Sequence, residues 1–86
     1  MTTAERLKGG KLSRQAAMLC QNEKFRRWID KRRRAVDGTH TADMTREWLI
    51  AACKVSSRAE IDHNEYAKKM FHKIVREFMR DTEGAY

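Results

Sequence analysis

Cationic side chains are concentrated in one short segment of the sequence, residues 22–36, which reads NEKFRRWIDKRRRAV. This segment holds seven Lys and Arg residues but only two acids. Arginine predominates, and its planar guanidinium group forms paired hydrogen bonds with a phosphate or a carboxylate. The segment is therefore a candidate surface for binding a polyanion. The ordinary alternative is a solvated helix face that keeps the protein in solution.

Helical spacing would place these cations in two rows. The first row has spacings of three and four residues and comprises Lys24, Arg27, Lys31 and Arg34. The second row holds two arginines seven residues apart, Arg26 and Arg33. Like charges this close repel by a few tenths of a kcal/mol per pair, a cost that a purely structural face could avoid. Together with one assisting arginine from the preceding helix, the predicted binding residues are Arg14, Lys24, Arg26, Arg27, Lys31, Arg33 and Arg34.

Two kinds of partner suit such a surface. One is nucleic acid, either DNA or RNA, whose phosphates would give salt-dependent and largely sequence-independent binding. The other is an acidic surface of a host nucleic-acid-processing protein, which would meet the same side chains. A helix-turn-helix with residues 23–34 as its reading helix is less favoured, because Trp28 and Ile29 would face the core. The exposed face of that helix also lacks Asn and Gln, which read base edges.

The other residues that could carry chemistry favour neither catalysis nor metal binding. Cys20 and Cys53 lie within apolar helical patterns, which predicts buried, reduced thiols. Neither cysteine has a histidine beside it in the sequence that could activate it as a nucleophile. His63 and His72 are nine residues apart, whereas two metal ligands on one helix are three or four apart. We expect a non-enzymatic protein with no catalytic residue, no metal and no cofactor.

Composition predicts an all-α protein with one domain. The chain has 86 residues, 41% of them hydrophobic, with no proline and four glycines. The predicted organisation is a basic arm over residues 1–10 and a helical domain over residues 11–86. The arm precedes a bundle of four helices, or of three long helices and a short one. Residues 1–36 carry 11 − 3 = +8 charges and residues 37–86 carry 8 − 9 = −1, which assigns the basicity to the first half.

Capping residues and apolar spacing predict where the first two helices lie. Ser13 is the expected N-cap of the first helix, and Asn22 is the expected N-cap of the second. The alternative of one bent helix through Asn22 stays open at this stage. The inward positions predicted for the second helix are Phe25, Trp28, Ile29 and Val36. A turn over residues 37–41, which includes His40, follows.

A third and a last helix are predicted in the second half of the chain. The third begins at Thr41 or Asp43. Its inward positions are Met44, Trp48, Ala51, Ala52 and Val55, and the residues that widen this apolar stripe are Leu49, Ile50 and Cys53. Ser57 with Glu60 has the spacing of a capping box, and Asp62 with Glu65 repeats it. The last helix is predicted to end near residue 80 or 81, with a core face formed by Ala67, Met70, Phe71, Ile74, Val75 and Phe78. The methionines expected to fill the core are Met18, Met44, Met70 and Met79.

No apolar run is long enough to cross a bilayer, and residues 1–12 lack the apolar core of a signal peptide, so we expect a cytoplasmic protein. Three segments, LSRQAAMLCQNEKFRRWI (12–29), SSRAEID (56–62) and FHKIVREF (71–78), resemble small helical proteins of bacteriophage and prophage genomes. Such proteins are often encoded among early genes for recombination, replication or evasion of host defence. The resemblance implies an accessory protein in the cytoplasm of a bacterial host, and it carries no functional residues. It also raises an alternative function, inhibition of a host nuclease or a CRISPR effector.

Overall fold

Four α-helices and one short 3-10 helix form the fold in the computed structural model, which describes residues 10–83. The helices are α1 (Lys11–Gln21), α2 (Glu23–Arg32), α3 (Ala42–Cys53), the 3-10 helix (Arg58–His63) and α4 (Glu65–Glu83). This part of the chain contains no strand, so the predicted all-α class is confirmed. Apart from Gly10, the predicted basic arm lies outside the described residues. No helix within residues 10–83 combines the length and apolar character needed to span a membrane.

An aromatic cluster joins α2 to α3 and α4. Phe25 stacks on Trp28 with ring centroids 5.6 Å apart and meets the edge of Phe78 at 5.1 Å. Trp28 also lies edge-on to Trp48 of α3, at 6.4 Å. Phe25, Trp28 and Ile29 are all buried, as their spacing predicts. Burial of each such side chain stabilises the fold by roughly 1.5–3 kcal/mol. Because all three would be exposed if α2 turned about its axis, their burial fixes the rotation of the helix.

Helices α1 and α2 are separate, because the helical conformation is interrupted at Asn22. The alternative of one bent helix through Asn22 is therefore excluded. Asn22 has an extended backbone, with φ −84° and ψ 117°, and its side-chain oxygen accepts from the N–H groups of Lys24 and Phe25. The predicted cap is therefore confirmed. Thr41 caps α3 in the same way by accepting from the Met44 N–H at 3.2 Å.

Helix α1 begins earlier than predicted, because a residue distant in sequence caps it. The Asp62 carboxylate accepts from the backbone N–H groups of Gly10, Leu12 and Ser13 at 2.7, 2.9 and 2.9 Å. Ser13 is not the cap: it lies in the first turn, where its hydroxyl donates to the Gly10 carbonyl. A Cβ atom at Gly10 would lie 3.2 Å from the Asp62 Cγ, so the absence of a side chain there permits this close approach.

Both predicted capping boxes are wrong, because their acids bond elsewhere. Glu60 accepts from the N–H of Ser56 at 2.9 Å, one residue before the predicted partner, and Ser57 makes no side-chain cap. Asp62 serves α1, as described above. The side chain of Asn64 accepts from the Ala67 N–H at 3.0 Å and so caps the first turn of α4.

Several apolar positions also differ from prediction. The buried face of α3 is formed by Thr45, Leu49 and Cys53, of which Leu49 and Cys53 belong to the predicted stripe. Two other predicted positions, Met44 and Ala51, are exposed. Among the methionines, Met70 packs against the core, but three others are exposed: Met18, Met44 and Met79. The α4 core face is as predicted, with four fully or nearly buried residues and two partly buried ones. This helix continues to residue 83, beyond its predicted end.

We expect Asp62→Asn to destabilise the protein by about 1–2 kcal/mol, since an amide cannot accept all three backbone hydrogen bonds. Glu47→Gln is the matched control, because Glu47 is exposed and pairs only with neighbouring Arg46, at 3.2 Å. Urea unfolding at neutral pH gives both free energies. Equal losses for the two variants would contradict the capping role.

The effect of Asp62→Asn should also depend on pH. Burial by itself would raise the pKa of Asp62, but the backbone hydrogen bonds from Leu12, Ser13 and Gly10 hold that pKa below its usual value. A carboxylate with a lowered pKa stabilises the fold above its unfolded pKa, and the stabilisation is lost as pH falls through the folded pKa. The difference in free energy of unfolding between wild type and variant should therefore shrink in acid.

Candidate polyanion-binding surface

Helix α2 ends at Arg32, four residues before its predicted inward residue Val36. Arg34 takes a left-handed backbone conformation, with φ 56°, and the Ala35 N–H donates to the carbonyl of Asp30 at 2.7 Å. The left-handed region is costly for a residue with a Cβ atom, by about 1–2 kcal/mol, so the change of direction requires compensating contacts. Val36 is consequently 81% exposed, and its predicted place in the core is wrong.

A buried carboxylate supplies those contacts. Asp30 is 1% exposed and accepts from the Gly38 N–H at 2.7 Å, the His40 N–H at 3.0 Å and His40 Nδ1 at 2.6 Å. Burial alone would raise the pKa of Asp30, but these hydrogen bonds, led by that of the His40 side chain, hold the pKa below its usual value. His40 lies outside the helices, in the predicted turn region, and its side chain is buried. We name the loop of residues 33–41 the Asp30 loop.

Both members of the second predicted row of cations make hydrogen bonds to other parts of the chain, although Arg33 is exposed and Arg26 is half-buried. Arg33 Nη1 lies 3.2 Å from His40 Nε2, and because a guanidinium group only donates, Nε2 is the acceptor and Nδ1 carries the ring proton. Arg26 Nη1 donates to the carbonyl of Cys20 at 3.1 Å. Arg26 therefore links α2 to the end of α1, and Arg33 links the end of α2 to His40. The two guanidinium groups are not an unpaired row facing solvent.

The first predicted row forms one wall of an open groove. Lys24, Arg27 and Lys31 lie on the flank of α2 beside Trp28 and line a groove of about 750 Å³ that also includes Asp81 of α4. Lys24 and Lys31 are exposed and make no side-chain hydrogen bond or ion pair with any residue of the described chain. We call this feature the α2 groove.

Arg27 differs from the two lysines because carboxylates already surround it. Its guanidinium group lies 2.6 Å from Glu23 and 3.7 Å from Asp37. All three side chains are largely exposed. Exposed ion pairs of this kind contribute about 0–1 kcal/mol, so a phosphate could replace either carboxylate at small cost.

The wall of the α2 groove is held rigidly by contacts to α4. Trp28 Nε1 donates to Asp81 Oδ2 at 2.8 Å, and this hydrogen bond is the main reason that the pKa of Asp81 is lowered. The guanidinium carbon of Arg32 lies 4.9 Å from the centre of the Trp28 ring, and Arg32 also pairs with Glu77. Arg32 was not among the predicted binding residues, and its role is to cover the indole.

Two predicted residues lie apart from the groove. Arg14 is exposed on α1 and does not line it. Arg34 is exposed after the end of α2 and makes no ion pair within residues 10–83, but it no longer continues the helical row. The structure thus brings together three of the seven predicted residues, namely Lys24, Arg27 and Lys31.

Three groups that could support catalysis, Cys20, Cys53 and His40, are buried. Cys20 and Cys53 are buried free thiols; burial raises the pKa of both, that of Cys53 to about 11, which disfavours the nucleophilic thiolate. The Asp30–His40 pair resembles the base of a catalytic triad, but Arg33 occupies the nitrogen that a nucleophile would need. No group of three possible metal ligands occurs among the described residues.

Asp30→Asn should destabilise the protein by about 2–4 kcal/mol, because it replaces a buried carboxylate that accepts three hydrogen bonds. Asp37→Asn is the control: it changes an exposed carboxylate in the same loop and should cost less than about 1 kcal/mol. Urea unfolding measures both, and hydrogen exchange at the Gly38 and His40 amides should accelerate only for Asp30→Asn. Matching stabilities and exchange rates would show that Asp30 does not hold the loop.

Comparison of this chain with protein-family models, with curated proteins and with solved structures gave no match. Any function therefore has to be inferred from the chain's own contacts, charges and exposed surfaces.

Proposed function

We propose that this protein is a non-enzymatic binding protein that holds nucleic acid through the α2 groove. The observation that carries the proposal is the placement of Lys24 and Lys31. Both are exposed on one wall of the groove, two helical turns apart, and neither has a carboxylate partner within the part of the chain that the structure describes. Unpaired cations on a rigid wall are suited to phosphates, which attract them without any requirement for base sequence.

Each cation of the groove has a distinct role in this proposal. Lys24 and Lys31 act as point charges toward separate phosphates. Arg27 exchanges its weak exposed pairs with Glu23 and Asp37 for a paired hydrogen bond to phosphate. Trp28, which is 6% exposed, does not stack on bases and serves to orient the wall.

A non-enzymatic role is supported by the state of the reactive groups. The thiols of Cys20 and Cys53 are buried with raised pKa values, and the ring of His40 is engaged at both nitrogens. Among the described residues, the α2 groove is lined by no serine, cysteine or histidine, and its one hydroxyl group, that of Thr82, donates to the Phe78 carbonyl. Most of its lining side chains are charged, namely four cations and three aspartates. Its chemistry is therefore that of charge recognition.

Binding to an acidic surface of a host nucleic-acid-processing protein is the second candidate function. Exposed apolar side chains favour it, since Val36 is 81% and Met18 is 73% exposed, and such residues can anchor a protein contact. A pulldown from bacterial lysate treated with nuclease separates the two candidates: a partner that survives the treatment favours protein binding. The predicted setting, a phage accessory protein in the bacterial cytoplasm, stays a prediction and suits either candidate.

Removal of the two unpaired lysines should weaken binding to nucleic acid. We expect Lys24→Gln/Lys31→Gln to lower affinity for a DNA duplex by about 10- to 100-fold near 0.1 M salt, and to reduce the log–log salt slope by about 1.8. Fluorescence anisotropy titrations at several salt concentrations measure both quantities.

The matched control is Lys11→Gln/Arg46→Gln, which removes two exposed cations from α1 and α3, outside the groove. The control should retain most of the wild-type slope. If wild type does not bind nucleic acid even at low salt, the proposed function is wrong. If the two double variants lose equal affinity, the groove is not the site.

A further inference from the structure

We infer that the outward face of α4 is a second phosphate-contacting surface and that the ligand of the combined surface is duplex DNA. This inference rests on the proposed function and extends it. It begins from four cations that recur at spacings of four, three and four residues along α4, namely Lys69, Lys73, Arg76 and Arg80. We call them the α4 row.

The α4 row faces away from the protein. All four of its members are exposed, whereas the opposite side of the helix carries the buried residues Ala67, Phe71, Ile74 and Phe78. Positions at this spacing lie on one face of an α-helix, so the charged ends are aligned and point into solvent.

The carboxylates of α4 leave most of the row unpaired. Glu65 pairs with Lys68 at 3.7 Å, and Glu77 pairs with Arg32 of α2. Asp81 accepts from Trp28 and pairs with Arg80 at 3.2 Å. The other three members of the row make no hydrogen bond or ion pair with any described residue.

Summed charge concealed this surface. Residues 37–86 add up to −1, and the sequence therefore assigned the basicity to the first half of the chain. The sum also counts two acids that lie next to the row: Glu65, four residues before Lys69, which pairs with Lys68, and Glu77, four residues after Lys73, which pairs with Arg32. The count for residues 37–86 stands, but four of their eight cations are aligned on one exposed face of the C-terminal helix.

The row adjoins the α2 groove at its Arg80 end. Asp81 lines the groove and at the same time bonds to Arg80, the last member of the row. From Lys69 to Arg80 the helix rises about 16.5 Å, at about 1.5 Å per residue. One strand of a duplex carries a charge about every 3.4 Å, so the row alone faces about five phosphates.

The surroundings of the row favour a duplex over a single strand. Single strands are held by exposed aromatic rings on which bases stack. Trp28 is buried, Trp48 is half-buried, and Tyr66, which is 45% exposed, has the ammonium group of Lys54 over one face of its ring at 5.3 Å. The described surface therefore offers many charges but only one partly exposed aromatic ring, not the series of rings on which successive bases of a single strand stack.

Helix geometry favours DNA over RNA among duplexes. An exposed helix such as α4, with 19 residues, is about 10–12 Å across, and the major groove of B-DNA is about 12 Å wide. The major groove of an RNA duplex is too narrow for side chains to enter. Long Lys and Arg side chains on α4 could reach phosphates on either rim of the DNA groove.

The test compares Lys73→Gln/Arg76→Gln with the control Lys11→Gln/Arg46→Gln in the full chain. Both remove two exposed cations, and neither touches the α2 groove. With a DNA duplex of about 20 base pairs, we expect the row variant to reduce the log–log salt slope by about 1.8 and the affinity by about 10- to 100-fold. Circular dichroism and urea unfolding establish that both variants fold.

The same titrations are repeated with a DNA single strand of the same length and with an RNA duplex of the same sequence. The inference is supported if duplex DNA binds most tightly and the row variant loses more than the control. It is overturned if the row variant keeps the control's slope, or if single-stranded DNA or duplex RNA binds as tightly as duplex DNA. Retained binding by the row variant with loss in Lys24→Gln/Lys31→Gln would overturn the inference and leave the proposed function standing.

Discussion

The packing of the Trp28 indole between α2, α3 and α4 determines which side chains of α2 reach the surface. The ring packs against Phe25, Trp48 and Phe78, its N–H donates to Asp81, and Arg32 covers its outer face. A side chain held on every side leaves α2 a single rotation about its own axis. That rotation decides which of the many cations of α2 face solvent and which are turned toward the protein.

As a consequence, the cationic residues of this region differ in what they bind. Arginines at the edges of the buried face are used to close the fold: Arg32 on the indole, Arg33 on His40 and Arg26 on a carbonyl of α1. Lysines on the outer flank remain unpaired within residues 10–83. Guanidinium groups suit the closing role because they offer several donors in one plane, whereas the hydrated ammonium of lysine is better left in water.

Much of the fold could be predicted from the sequence, because local rules act within a few residues. Asn22 and Thr41 cap the helices that follow them, and the spacing of apolar residues in α4 and of Phe25, Trp28 and Ile29 in α2 identifies their buried faces. These signals come from hydrogen bonds and periodicities that a single segment contains. They are independent of how the helices later pack.

Two of the features that prediction missed depend on contacts that reach beyond a single helix. Asp62 caps α1 from about fifty positions away, and Asp30 turns inward because His40 and Gly38 return to it. Nothing in the residues around Asp62 or Asp30 in the sequence distinguishes these carboxylates from carboxylates that stay exposed to solvent. The α4 row was visible as a spacing, but summing charge over half the chain hid it. Charge counted by helix face rather than by segment would have found it.

The most direct test of where this protein binds is nuclear magnetic resonance of the isotope-labelled wild-type chain titrated with duplex DNA. The account predicts that shifts cluster on the outer flank of α2, at Lys24, Arg27 and Lys31, and on the outward face of α4 from Lys69 to Arg80. Shifts confined to the exposed faces of α1 and α3, or no shift at low salt, would contradict it.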